Sequence, residues 1–274
     1  MSLVVSWIGV DTHGITSAYI VGESRFSWRN NYFYNYGKKV FASNLYPEIF
    51  GYAGDVLFPS IVLSQIIEMI DTEVLFDKDM SCCQKNKAVF EKLCHAFSNY
   101  PVEVTAGSIQ IIHITRETSF DKYPNFYSYS MKWSGAATGW QFSNMKLPDE
   151  SGLLYVLGSG GREFHDNYSR YQLGLNKNTS RNVFHCFIDT LVNINDKYCG
   201  GPPQLVGIYR KPNSVAKNFG IIHQNKRFFL GAEVPTVSYF DKIEWRNELF
   251  ELCDGNTKKA LAKAAKQPDS LRRL

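Results

Sequence analysis

This sequence is short of the signals that would assign it quickly to a common enzyme class. It has no G-x-S-x-G elbow and no phosphate-cradling G-x-x-x-x-G-K-[ST], which leaves an α/β-hydrolase or a nucleotide-driven enzyme without support. Its histidines, at 13, 95, 113, 165, 185 and 223, are scattered, with no H-E-x-x-H pair. The adjacent Cys82 and Cys83 are too close to form half of a zinc knuckle, so no metal and no cofactor is expected. The remaining cysteines, Cys94, Cys186, Cys199 and Cys253, show no disulfide spacing and read as reduced thiols. No apolar run has the length of a membrane span, and the N-terminus lacks a charged region followed by an apolar stretch; a cytoplasmic protein is expected, with no membrane partner. Charge of either sign is not in excess. Lys and Arg total 30 against 26 Asp and Glu, and a net charge of +4 on 274 residues does not argue for nucleic acid.

What is present is apolar and aromatic. A hydrophobic content of 44% can bury a full core, and 15% aromatics suit a β-rich protein. Residues 3–11 and 17–24 flank THGI and predict an antiparallel hairpin; IFGYAGDV predicts a further strand. Helical spacing follows in FPSIVLSQIIEMIDTE, with Ile61, Val62, Ile66, Met69 and Ile70 as its stripe, and again over residues 84–97. Then SIQIIHITRE, FYSYSMKWS, GWQFSNMKL and GLLYVLGSG predict four strands. A polar linker leads to a third helix in SRNVFHCFIDTLVNIND, and QLVGIYR and NFGIIHQNKRFFLG predict two more strands. Blocks of strands and helices in this order predict an α+β fold with antiparallel sheets. Residues 241–274 are basic and Ala-rich towards their end, and predict a C-terminal helical extension to a domain spanning 1–240. A solvated helix is favoured there over a partner or RNA contact.

Three stretches, in order, resemble the signature of proteasome β subunits and their bacterial relatives among the N-terminal-nucleophile hydrolases. SAYIVGESRFSW followed by YGKKVFAS resembles the family's acid-Ser-Arg triplet and Lys-Lys-Val. FGYAGDVLF is similar to its Ala-Gly-Gly turn. LGSGG with NDKYCGG resembles its Gly-Ser-Gly turn and its Arg-Asp-Ala-Tyr-Ser-Gly-Gly stretch. The resemblance covers about residues 2–70 and 150–235. It implies a four-layer α-β-β-α sandwich and a peptidase whose nucleophile is Ser2 after removal of Met1, with the residue's own α-amine as base.

By the same resemblance Lys39 favours negative charge on the Ser2 oxygen, Glu23 holds the lysine, and the Gly54 N–H faces the oxyanion. Asp196 orients the amine with Ser159 and Cys199 as its partners, and Phe26, Gly37, Tyr52 and Val56 line the pocket for the residue before the scissile bond. Three positions depart from the family: Glu23 replaces aspartate, Asp55 a second glycine, and Cys199 a hydroxyl residue. Those departures support the alternative of a catalytically silent scaffold or binding subunit. On their own, Ser2 is an ordinary second residue, and Glu23 with Arg25 could be a surface ion pair. Expected partners are other copies of the chain in a ring or related oligomer, a peptide or unfolded-protein substrate, and an ATPase that delivers it.

Overall fold

The computed structural model describes residues 2–28, 31–77, 79–101, 107–118, 123–234, 240 and 242–265. Met1 and the end of the basic tail, 266–274, lie outside them. In chain order the elements begin with β1 (Val4–Asp11), β2 (Gly14–Gly22), β3 (Phe26–Ser27), β4 (Phe33–Tyr34), β5 (Val40–Ala42) and β6 (Glu48–Gly54), then α1 (Leu57–Asp71) and α2 (Cys82–Ser98). There follow β7 (Ile109–Arg116), β8 (Phe126–Trp133), β9 (Trp140–Met145), β10 (Gly152–Leu157), α3 (Gly161–Tyr171) and α4 (Ser180–Asn193). The chain continues through β11 (Gln204–Tyr209), β12 (Lys217–His223), β13 (Lys226–Phe229), β14 (Ala232–Glu233), β15 (Glu244–Asn247) and β16 (Leu252–Cys253).

Two principal sheets result. The larger runs β10-β1-β2-β11-β12-β13-β14, and the smaller β5-β6-β7-β8-β9. Their pairings are antiparallel except for β15, which lies parallel to β12. Side-chain alternation sends successive residues of β1 to opposite faces. Leu3, Val5 and Trp7 pack with Phe164 of α3 and Val183, Phe184 and Phe187 of α4. Val4 and Ile8 instead join Ile20 and Val206 against Val40, Ile49, Ile112 and Ile114 of the smaller sheet. On that sheet's far face, Tyr52, Ile109 and Ile111 meet Val62, Ile66 and Ile70 of α1 and Val89, Leu93 and Phe97 of α2. Strands covered on both faces read as unbroken apolar runs, which is why LVVSWIGV lacks alternation.

The helix signals locate α1, α2 and α4, with two adjustments. Ile61 of α1 is exposed, and Leu63 and Ile67 take its place in the buried stripe. The start of α2 is fixed by a reciprocal capping box between Ser81 and Gln84. Three expectations are corrected. The polar stretch before α4 contains α3, an amphipathic helix whose buried residues are only Gly161, Phe164 and Tyr168. NFGIIHQNKRFFLG is a hairpin rather than one strand, turning at Gln224 and Asn225, both at positive φ. Among the described residues after 240 there is no helix; β15 and β16 extend the larger sheet, because Trp245 and Cys253 bury against Ile222 and Phe240.

Candidate functional site

The first strand carries Ser2 to the end of the larger sheet, where several turns converge. The Ser2 carbonyl accepts a hydrogen bond from Gly160 N at 3.1 Å. Gly158, just before, sits at φ +91°, and a Cβ there would lie 2.1 Å from the same carbonyl oxygen, so only glycine lets the backbones approach. The hairpin brings Glu23 alongside. Its two-residue turn falls at Thr12 and His13, and a register shift follows at Val10, so Val4 pairs with Gly22. Glu23 N then donates to Leu3 O at 3.2 Å. That sets Glu23 opposite Leu3, next to Ser2.

Lys39 reaches the pair from just before β5. Its Nζ donates to Ser2 Oγ at 2.9 Å and to Glu23 Oε1, and all three residues are fully buried. The other carboxylate oxygen of Glu23 accepts from Arg25 N at 2.6 Å and Gly200 N at 3.2 Å. A buried carboxylate needs compensation by charge and hydrogen bonds, and here both oxygens have it. Glu23 and Arg25 are therefore not a surface ion pair. The Arg25 guanidinium turns instead to Asn35 Oδ1 at 2.8 Å and to the carbonyls of Lys197 and Cys199 at 2.7 and 3.1 Å.

A second group lies across the Gly160 turn. Asp196 Oδ2 accepts from Ser159 Oγ and, at 3.5 Å, from Cys199 Sγ, while Oδ1 accepts from Tyr198 N at 3.0 Å. Burial pushes the Asp196 carboxyl up, but these hydrogen bonds outweigh it and leave it below the usual value. Burial, reinforced by the negative charges of Glu23 and Asp196, pushes the Cys199 thiol up to about 12, so the thiol stays protonated and donates. Gly160 bridges the two groups: a Cβ there would stand 3.1 Å from Leu3 Cβ and 3.2 Å from Cys199 Sγ.

Gly54 ends β6 at φ +99°, where a Cβ would fall 2.0 Å from Ser108 O. The neighbouring Asp55 Oδ1 accepts from Leu57 N at 3.1 Å and Phe58 N at 3.2 Å, so this carboxylate is engaged with the α1 amides. Of the four residues expected to line a pocket, Phe26 and Gly37 pack together beside Lys39, and Tyr52 Oη lies 3.4 Å from Val56 O. The Phe26 ring lies 5.8 Å from Lys39 Nζ, and Gly37 is so close beneath it that a Cβ would be 2.3 Å from the ring. Tyr52 is fully buried and donates to Lys38 O at 3.1 Å, and Phe26 and Val56 pack against the α1–α2 core. A cavity of about 470 Å³ opens nearby, with Arg25, Asn35, Cys199, Pro202 and His223 in its walls.

The sequence assigns Arg25 no role beyond the acid-Ser-Arg triplet and a surface ion pair, and singles out neither Asn35 nor Gln204. Arg25 is marked only by its place after Glu23 and Ser24, and Gln204 by nothing beyond being the polar first residue of a strand. Among the described residues no cluster of three His, Cys, Asp or Glu could hold a metal ion, and all six cysteines are unpaired. Nor, among those residues, is any helix long and apolar enough to cross a membrane.

The sequence matches no family model. No curated protein matches it. Solved structures do. Anbu from Pseudomonas aeruginosa, described as a helical assembly, superposes with a TM-score of 0.54 at 11% identity, covering 86% of this chain and 88% of that one. Anbu from Yersinia bercovieri, described as an ancestral beta-subunit, gives 0.52 at 8% identity over 86% and 89%. A Gly-1 mutant of Anbu from Hyphomicrobium sp. strain MC1 gives 0.50 at 12% over 80% and 88%. At these identities the likeness is one of architecture, and the chain has a proteasome-like fold.

Proposed function

We propose that this chain is a proteasome-like amide-bond hydrolase that uses Ser2, freed by removal of Met1, as an N-terminal nucleophile. The observation that carries the reading is the buried contact of Lys39 Nζ with Ser2 Oγ at 2.9 Å, with Glu23 on the lysine's other side. The freed α-amine, with an ordinary pKa of about 7.7 to 8.0, takes the Oγ proton as the oxygen attacks the carbonyl carbon. The Lys39 ammonium favours the developing charge on Oγ. The oxyanion of the tetrahedral intermediate faces the Gly54 N–H, a type of contact worth about 2.7–4 kcal/mol. Collapse expels the leaving amine, which takes the proton, and leaves an ester on Ser2. Water, activated by the same amine, adds to that ester and releases the acid. Asp196 orients the amine through Ser159 and Cys199.

Phe26 on Gly37 and the buried Tyr52 favour small residues before the scissile bond. The two sheets and their helices fit a four-layer α-β-β-α arrangement. Self-association into a ring or related oligomer is part of the proposal, supported by the assembly described for the Pseudomonas relative. So are a peptide or unfolded-protein substrate, an ATPase that supplies it, and a cytoplasmic setting in keeping with the unpaired thiols.

The second reading, a silent scaffold subunit, is favoured by one feature: Ser2 is fully buried. Intact mass of the purified protein, before and after a serine-reactive or boronate probe, separates the two. Loss of Met1 with an adduct on Ser2, absent in Ser2→Ala, supports the hydrolase. Retained Met1 and no adduct in the assembled oligomer support the scaffold.

A further inference from the structure

Lys39 stands one residue before β5, where the neighbouring strand holds its backbone through the carbonyl alone. Its carbonyl accepts from Tyr52 N at 3.2 Å, but its own N–H goes to a side chain from another sheet. That side chain is Gln204, the first residue of β11 and fully buried. Gln204 Oε1 accepts from Lys39 N at 2.9 Å and from Val40 N at 3.3 Å. Consecutive amides of a regular strand point to opposite sides, so one acceptor serving both marks a departure from regular strand at the lysine. The Nε2 group donates to Ser24 Oγ at 2.8 Å and Gly37 O at 2.9 Å, and lies 3.3 Å from Glu23 O. Ser24 Oγ in turn donates to Pro202 O at 2.7 Å.

We infer that Gln204 is a positioning residue that sets the Lys39 ammonium against Ser2 by tying the lysine backbone to the Glu23–Ser24 segment across the two sheets. It touches neither the reacting atoms nor substrate, and acts through where it holds Lys39. The amide is the one neutral side chain of this length with two acceptor lone pairs and two donors, and this site uses both ends. Glutamate could not donate to Gly37 O when ionised, and methionine could neither donate nor accept strongly there.

The inference rests on the proposed function, and its test separates the two. Labelling of Ser2 by the boronate or serine-reactive probe is followed in wild type, Ser2→Ala, Gln204→Met and Val206→Ala. If wild type takes no label, or Ser2→Ala takes as much, the proposed function falls. If Ser2 is labelled, Gln204→Met is expected to lower the maximal labelling rate about 30-fold, with the concentration for half-maximal rate unchanged. Its acidic pH limb should also move upward, because withdrawing a neighbouring ammonium makes the Ser2 amine easier to protonate. Val206→Ala, which loosens the same strand's packing, should lower thermal stability without moving rate or pH limb. Gln204→Met labelling at the wild-type rate and pH dependence would overturn the inference. Should Gln204→Met fail to fold, Ser24→Ala carries the test: a rate about threefold lower supports the inference, and an unchanged rate overturns it.

Discussion

Two fully buried carboxylates, Glu23 just after β2 of the larger sheet and Glu48 at the start of β6 of the smaller, are built differently. Glu48, at the start of β6, gives one oxygen to His113 Nε2 at 2.6 Å and the other to Thr115 Oγ1 at 2.7 Å. The second ring nitrogen of His113 meets Asn86 of α2 at 3.0 Å, and the ring stacks on Phe50 at a centroid distance of 4.2 Å. Each of these partners is a side chain, and the network is roofed by a helix. Glu23 shares its charge with Lys39, but its second oxygen rests on backbone amides, and the turns around it are glycines that bring bare backbone close. A buried, well-satisfied carboxylate is thus no mark of function by itself. What distinguishes the Glu23 cluster is a hydroxyl, Ser2 Oγ, in contact with the same lysine that pairs the carboxylate.

The largest effect should come from emptying the first cluster without stranding a charge. Removing Lys39 alone leaves Glu23 buried and unpaired, so Lys39→Met with Glu23→Gln is the variant to measure. Probe labelling of Ser2 is expected to fall about 10³-fold, with a melting temperature within a few degrees of wild type. Labelling at the wild-type rate would erase the distinction between the clusters. The converse variant, Glu48→Ala, should cost about 3–5 kcal/mol in urea unfolding and leave the labelling rate of folded protein unchanged. A lost labelling rate there would make the His113 network part of the site.

The smallest effect concerns Asp196. Its carboxyl is held below the usual value, so it contributes stability above the unfolded pKa of about 3.9 and loses it as pH falls through the folded value. The melting-temperature gap between wild type and Asp196→Asn should therefore close on acidification towards pH 2. A gap independent of pH would show that the carboxylate's charge is not what Ser159 and Cys199 hold.

Elements whose burial follows a simple period were readable from the sequence. The β1–β2 hairpin, α1, α2, α4 and the strands β7 and β8 all carry enough apolar residues to reveal a face or a doubly covered run. Helix α3 hid because Phe164 and Tyr168 are nearly its whole buried stripe, and the rest of GREFHDNYSRY is polar. The turn between β12 and β13 hid because Gln224 and Asn225 adopt positive φ without a glycine to announce it. At the site, the motifs led to residues that the fold gathers: Ser2 with Lys39 and Glu23, and Asp196 with Ser159 and Cys199. The register that sets Glu23 beside Leu3 depends on a shift at Val10 that no composition reveals. Gln204 was invisible for a related reason, since its partners, mostly backbone atoms, lie more than 160 residues away.

The aromatic packing over β1 has a bearing on how the protein is made. Trp7 and Tyr19 stack at 5.0 Å, and Phe250 closes on them with centroids 5.9 and 5.4 Å away while also meeting Phe184. The strand that leads from Ser2 is therefore sealed by a ring distant in sequence, and Gln204 and Asp196 also come long after Ser2. Contacts of such sequence separation form slowly and late. Until Phe250 has been synthesised, Trp7 and Tyr19 lack the ring that covers them, so the packing over the strand leading from Ser2 is completed only at that stage.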